Sequence, residues 1–214
     1  MTKRLEWQGI ELQLLALKVL YIPEYRMLVL SDWHLGKLGH FRKEGLFVPP
    51  MQIQVELNRL GDLLTALQVQ KVVFLGDLFH ASWNHEWDAF ISYIQRFSRI
   101  DFILTKGNHD LLANELSENT SIAVVDHLWL DDKLVLSHQP LSVVPVDVLN
   151  IVGHIHPGVE LRSGGRQRFR LPCFYFKDNT LTLPAFGRWT GLYMIKREID
   201  DRMFAIIGND VIEV

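Results

Sequence analysis

Cysteine is almost missing from this sequence. Cys173 stands alone among 214 residues, so no intramolecular disulfide can form, which suits a reducing compartment such as the cytoplasm. A long apolar run is missing as well. Leu14 to Ile22 is the longest near the start, and Lys18 interrupts it. A membrane helix needs roughly 20 apolar residues, so no membrane span is expected. No small-residue cleavage pattern follows, so a signal peptide is not expected either. Excess positive charge is lacking: 22 Lys and Arg stand against 25 Asp and Glu, for a net charge of -3. Any grip on phosphates must come from local patches or bound cations. There are no repeats, no low-complexity stretch and no dividing linker, so one domain over residues 1–214 is expected. Hydrophobic residues make up 48% and charged ones 22%, which excludes a disordered chain.

What is present is a series of short apolar runs. Met27 to Leu30 (MLVL), Val72 to Leu75 (VVFL) and Phe102 to Thr105 (FILT) are uninterrupted, as for strands covered on both faces. Ile53, Leu57, Leu60, Leu64 and Leu67 recur at helical spacing after Pro49-Pro50, and a second helix is expected over His85 to Phe97. Further strands are expected at Glu11 to Leu15, Lys18 to Ile22, Asp126 to Leu130, Lys133 to Ser137, Leu149 to Val152, Arg166 to Leu171, Cys173 to Phe176, Thr180 to Leu183, Gly191 to Ile195 and Arg202 to Ile207. Strands and helices alternate early and strands dominate later. The expected class is α/β (α+β), with two sheets packed face to face and helices outside.

Five of the apolar runs end in residues suited to metals. MLVL delivers Asp32 and His34, and VVFL delivers Asp77. FILT delivers Asn108 and His109. LVLS delivers His138, and Leu149 to Val152 delivers His154 and His156. One such residue after a strand is usually a turn or hydrogen-bonding group. Five sites confined to carboxylate, amide and imidazole are hard to explain as turns, which draw on Ser, Pro and Gly as well. In an extended segment, Asp32-x-His34 and His154-x-His156 would each put two ligands on one side. Two ions close together need a shared ligand, and the two oxygens of Asp77 suit that role. Mixed imidazole and oxygen donors favour first-row transition ions.

These blocks resemble the calcineurin-like metallophosphoesterases: D-x-H, G-D, G-N-H-D, a lone His and G-H-x-H, all in order from Asp32 to His156. The resemblance implies a four-layer α-β-β-α sandwich of two mixed sheets. It implies one ion held by Asp32, His34, Asp77 and His156, and a second by Asp77, Asn108, His138 and His154. Two ions about 3.5–4 Å apart can clamp a phosphoryl group and turn a shared water into an attacking hydroxide. His109 would serve at the leaving oxygen as general acid or stabilise charge there. Asp110 either orients His109 or makes a loop hydrogen bond.

SDWHLGK (Ser31 to Lys37), GHIHPGV (Gly153 to Val159), LPCF (Leu171 to Phe174) and LPAFG (Leu183 to Gly187) are similar to a bacterial subgroup, the DNA ligase-associated damage-response phosphoesterases. That likeness implies two manganese ions, with iron or zinc as alternatives, and phosphodiesterase action on DNA. The net negative charge favours the alternative of a phosphatase or nucleotide phosphodiesterase acting on small molecules, and a non-catalytic scaffold is the reading that the full ligand set argues against. It also implies repair proteins associated with a DNA ligase as partners. Arg42, Lys43 and His80 follow ligand blocks and are candidate substrate contacts. Arg166, Arg168 and Arg170 alternate, so a strand would put them on one face, either a solvated surface or a track for a phosphate backbone.

Overall fold

A computed structural model describes residues 2–37, 45, 52–79, 85–108, 110, 116, 118, 120–162, 164 and 167–214. The first sheet runs in chain order: β1 (Lys3–Trp7), β2 (Ile10–Leu15), β3 (Val19–Ile22), β4 (Met27–Leu30), β5 (Lys71–Leu75), β6 (Asp101–Thr105) and β7 (Ile122–Val125). Pairing is antiparallel from β1 to β4 and parallel from β4 to β7. The second sheet contains β8 (His127–Leu130), β9 (Leu134–Ser137), β10 (Leu149–Val152), β11 (Pro157–Arg162), β12 (Arg168–Lys177), β13 (Thr180–Thr182) and β14 (Tyr193–Met194), in the order β14-β11-β12-β13-β10-β9-β8. β15 (Arg202–Ile207) joins β12, and β16 (Asp210–Glu213) joins β15. Both sheets are mixed, as expected.

The two-residue period of each strand divides the core. Val19, Tyr21, Leu28, Leu30, Val72 and Phe74 face the helices α1 (Gln52–Ala66) and α2 (His85–Ile94). The alternate residues Leu20, Ile22, Met27, Val29, Val73 and Leu75 face the second sheet, where they meet Leu134, Leu136, Leu149, Ile151, Phe174 and Leu181. Each strand here is buried on both sides, which is why it reads as an unbroken apolar run. The far side of the second sheet carries the segment after His138. There the buried Asn150 amide accepts from Leu141 N and donates to Val135 O and Ser137 Oγ. No helix among the described residues is long and apolar enough to cross a membrane.

Some elements differ from the expectations. β1 alternates exposed and half-buried residues (KRLEW), and the apolar pattern does not reveal it. β7, β11 and β16 are likewise not revealed. α2 ends at Ile94 rather than Phe97, because Arg96 N and Phe97 N bond three residues back and tighten the last turn. The two strands expected on either side of Pro172 are one ten-residue strand, β12. Pro172 sits where its partners change: residues up to 172 pair with β11, and those from 173 onward pair with β13 and β15. A proline is tolerated where a ladder ends or shifts. His127 is exposed on the outermost strand of its sheet.

Trp33 joins the fold to the site. Its ring packs edge-on to Phe90 and Phe186, with centroids 5.6 and 4.8 Å away. Its Nε1 donates to the buried Glu56 Oε2 at 2.6 Å. The side chain therefore anchors the Asp32-His34 turn from the helix side. Trp33→Ala is expected to cost about 3–5 kcal/mol, as for other buried aromatics. Trp33→Phe is expected to cost about 1–3 kcal/mol, since it leaves the Glu56 carboxylate without that donor. Urea unfolding of the two variants measures both.

Candidate metal centre

The strand ends are stitched together beyond the sheets. Asp32 N donates to Gly76 O at 3.3 Å and His34 N to Asp77 O at 3.0 Å. Gly153 N donates to His138 O at 3.1 Å. Register within the sheets thus fixes where each chemically active side chain stands.

Two groups of donors result. In the first, His34 Nε2 lies 3.4 Å from His156 Nε2, and His156 Nε2 lies 3.3 Å from Asp32 Oδ1. In the second, His154 Nδ1 lies 3.1 Å from His138 Nε2. Asp77 stands between them: Oδ2 is 3.9 Å from His34 Nε2 and Oδ1 is 3.6 Å from His138 Nε2. Asp32, His34 and His156 form one set with metal-ligand spacing, and Asp77, His138 and His154 form the other. Asn108, exposed on the turn after β6, is the amide expected to complete the second set.

The surroundings fit cations. Asp32 Oδ1 is buried with no hydrogen-bond partner, whereas Oδ2 accepts from His154 N at 2.9 Å and from Ser31 Oγ. A buried carboxylate oxygen left without a donor calls for a positive charge. Burial pushes the Asp32 carboxyl up, but His156 and Ser31 outweigh it, and the net shift is downward. Burial pushes His34 down to about 4, against the pull of Asp32 and Asp77. His154 is pushed down by burial and by neighbouring His138. These two imidazoles are neutral near pH 7, the form that binds metals. His138 Nδ1 sits 2.9 Å from Leu75 O, to which it donates, leaving Nε2 as the donor atom inside the site. Gln139 lies 3.3 Å from His154 Nε2 and holds the outer nitrogen of that ring.

The ligands are not on extended backbone, contrary to the expectation from the D-x-H and H-x-H spacing. Asp32, His34, Asp77, His154 and His156 have φ of 52°, 54°, 48°, 73° and 52°. Left-handed conformations turn the chain back sharply, so Asp32 and His34 converge on one set while Trp33 between them enters the core, and His154 and His156 part to different sets. Such residues cost about 1–3 kcal/mol each and persist where surrounding structure enforces them.

The motif glycines make room for other motifs. A Cβ on Gly153 would collide with Ser31 Oγ and Asp32 Oδ2, and one on Gly107 would collide with the backbone and carboxylate of Asp77.

Asp110 makes the loop hydrogen bonds. Oδ2 accepts from Asp77 N at 2.8 Å and Gly107 N at 2.9 Å, and Oδ1 accepts from Leu78 N and Phe79 N at 3.0 and 3.3 Å. Through these bonds it is a positioning residue for Asp77, and its other expected role, orienting His109, falls outside the described residues. Burial pushes its carboxyl up, against the pull of those backbone donors. His109, Arg42, Lys43, His80 and Arg166 lie outside the described residues. Arg168 and Arg170 are exposed on β12 and share Glu160 with Arg162, at 3.4, 3.8 and 3.6 Å. Sequence reasoning missed Ser31 and Gln139, although each adjoins a ligand in the chain.

Two sheets whose strand ends gather Asp and His into adjoining sets, with one carboxylate between, define a class: proteins built to hold two cations side by side. The family model for calcineurin-like phosphoesterases matches residues 25–173, and the chain belongs to that family. It is therefore a metal-dependent phosphoesterase, a hydrolase of a family that uses a dinuclear metal centre. The chain is similar throughout to the Pseudomonas putida nuclease MPE: 28% identical, covering 100% of both chains, with a TM-score of 0.82. It is similar more distantly to Yfce, a phosphoesterase from E. coli: 16% identical, covering 88% of this chain and 97% of that one, TM-score 0.45. No curated protein sequence matches it.

Because Asp110 holds the Asp77 loop through backbone donors, Asp110→Ala is expected to weaken metal binding about 10- to 100-fold while removing none of the seven expected ligands. Titration with manganese, followed by paramagnetic resonance of the free ion, reads the change.

Proposed function

We propose that the protein is a manganese-dependent phosphodiesterase that cleaves DNA in a cytoplasmic repair pathway alongside ligase-associated proteins. The observation that carries the reading is the placement of Asp77, with one oxygen toward each donor set. Asp32, His34, Asp77 and His156 would hold one ion, and Asp77, Asn108, His138 and His154 the other. When bound, the pair supplies positive charge to a phosphodiester and lowers the pKa of water. The protein's own part is to hold seven ligands in place before substrate arrives and to keep His34 and His154 neutral. His109 donates a proton to the departing oxygen, and Asp110 fixes the loop on which Asp77 stands. The similar protein from Pseudomonas putida is a nuclease, which supports nucleic acid as substrate. Arg168 and Arg170, with Arg162, outnumber Glu160 on a hairpin that leaves directly from His156, and they suit a phosphate backbone.

The test supplies manganese-loaded protein with supercoiled plasmid, bis-p-nitrophenyl phosphate and p-nitrophenyl phosphate. Plasmid nicking and diester turnover, absent in Asp77→Ala, are expected. Turnover of the monoester alone would replace this reading with a small-molecule phosphatase. His109→Asn is expected to keep its metal and lose about 100- to 10,000-fold in rate, most severely for poor leaving groups. Equal rates in the variant and parent would remove His109 from the mechanism.

A further inference from the structure

One segment is fastened to the backbone of two ligands of the same donor set. Gly187 N donates to Asp32 O at 3.3 Å, and Tyr193 N donates to His156 O at 3.0 Å. Between these ties the chain crosses residues 187–193, past Arg188 and Trp189. Its attachments are firm on both sides. Phe186 N donates to Ser31 O at 2.8 Å, and β14 continues the ladder onto Pro157 and Gly158. The segment is thus held against the mouth of the first donor set by the same strand ends that hold the ligands.

Its exposed side chains are unusual for so fixed a place. Trp189 is 46% exposed and Tyr193 64%. Large rings left in water beside a buried polar site mark a binding surface more often than a packing fault. Positive charge accompanies them. Lys18 Nζ reaches Gly187 O at 3.5 Å, Arg59 lies over the Phe186 ring at 4.2 Å, and Arg188 stands close enough to both to disfavour their charge. The acid nearest these cations, Glu56, is engaged by Trp33 Nε1 and Arg188 N. A narrow cleft runs from His34 past Lys37 to Arg188, Trp189 and Thr190; Glu56 and Glu86 also line it, and Glu86 accepts from Gly36 N at 2.8 Å. Its floor is only wide enough for water, so a flat ring would lie against the outer faces at its rim.

We propose that residues 187–193 form a nucleoside-binding arm. Trp189 and Tyr193 stack on the base or bases adjoining the phosphate held at the first donor set, and Arg188 faces the neighbouring phosphate. This rests on the phosphodiesterase reading above and names how that site would select a nucleotide over a simple ester. Stacking of this kind accepts any base, because each has a π face.

The test compares manganese-loaded parent, Trp189→Ala and Tyr193→Ala on three esters: methyl p-nitrophenyl phosphate and the 5′ and 3′ p-nitrophenyl phosphates of thymidine. The alanine variants are expected to raise KM for at least one thymidine ester about tenfold, with the methyl ester changed less than twofold. Trp189→Phe and Tyr193→Phe are expected to stay near the parent. A KM change equal on all three esters, or on none, would overturn the arm. A second readout needs no turnover: quenching of tryptophan fluorescence by decathymidylate, expected to shrink in Trp189→Ala. If the parent hydrolysed none of the esters, the hydrolytic reading would fall. The arm would then stand on lost quenching in Trp189→Ala and fall on unchanged quenching.

Discussion

Asp77 has to stand between two sets of imidazoles with one oxygen turned toward each, and much of the chain is arranged around that requirement. Three backbone N–H groups of its loop, joined by that of Gly107, converge on the Asp110 carboxylate, which lies 33 residues from Asp77 in sequence. Gly107 clears the space that a side chain would take from Asp77. Parallel β4, β5 and β6 bring Asp32, Asp77 and Asn108 to one end of the first sheet, and parallel β9 and β10 bring His138 and His154 to the facing end of the second. The apolar layer between the sheets, with Val73 and Leu75 opposite Leu136 and Ile151, sets the separation of those ends.

The ligands themselves sit in poor backbone conformations. Five of them have positive φ, and none is glycine. The stability to hold them there comes from elsewhere: Trp33 locked among Phe90, Phe186 and Glu56, and strand ends that continue to pair past the sheets. Preorganisation of this kind keeps Asp32 Oδ1 in a buried place with no hydrogen-bond donor and only the His156 ring near it, a state that a bound cation relieves.

Much of this was legible in the sequence because burial on both faces writes itself as an unbroken apolar run. MLVL, VVFL and LVLS can be placed without knowing their partners, and Asp32, Asp77 and His138, within two residues of the ends of those runs, are then candidates by position. What could not be read were features made by distant contacts. β1 is a half-exposed strand whose charged residues hide its period, and Pro172 reads as a break although β12 passes through it while changing partners. The turn geometry of Asp32 and His34 is not legible either, because spacing of two suggests extended chain and says nothing of φ. Asp110 leaves two roles open in sequence: its four backbone donors supply the one that supports Asp77, and the one toward His109 lies outside the described residues. Trp189 and Tyr193 carry no periodic signal, and their meaning comes from being tied to Asp32 and His156.

The account stands on two cations sharing Asp77. Anomalous scattering from a crystal grown with manganese tests this most directly. Two peaks are expected, one enclosed by Asp32, His34, His156 and Asp77, the other by Asp77, His138, His154 and Asn108. A single peak that leaves Asp77 touching one ion, or manganese bound away from these side chains, would contradict it.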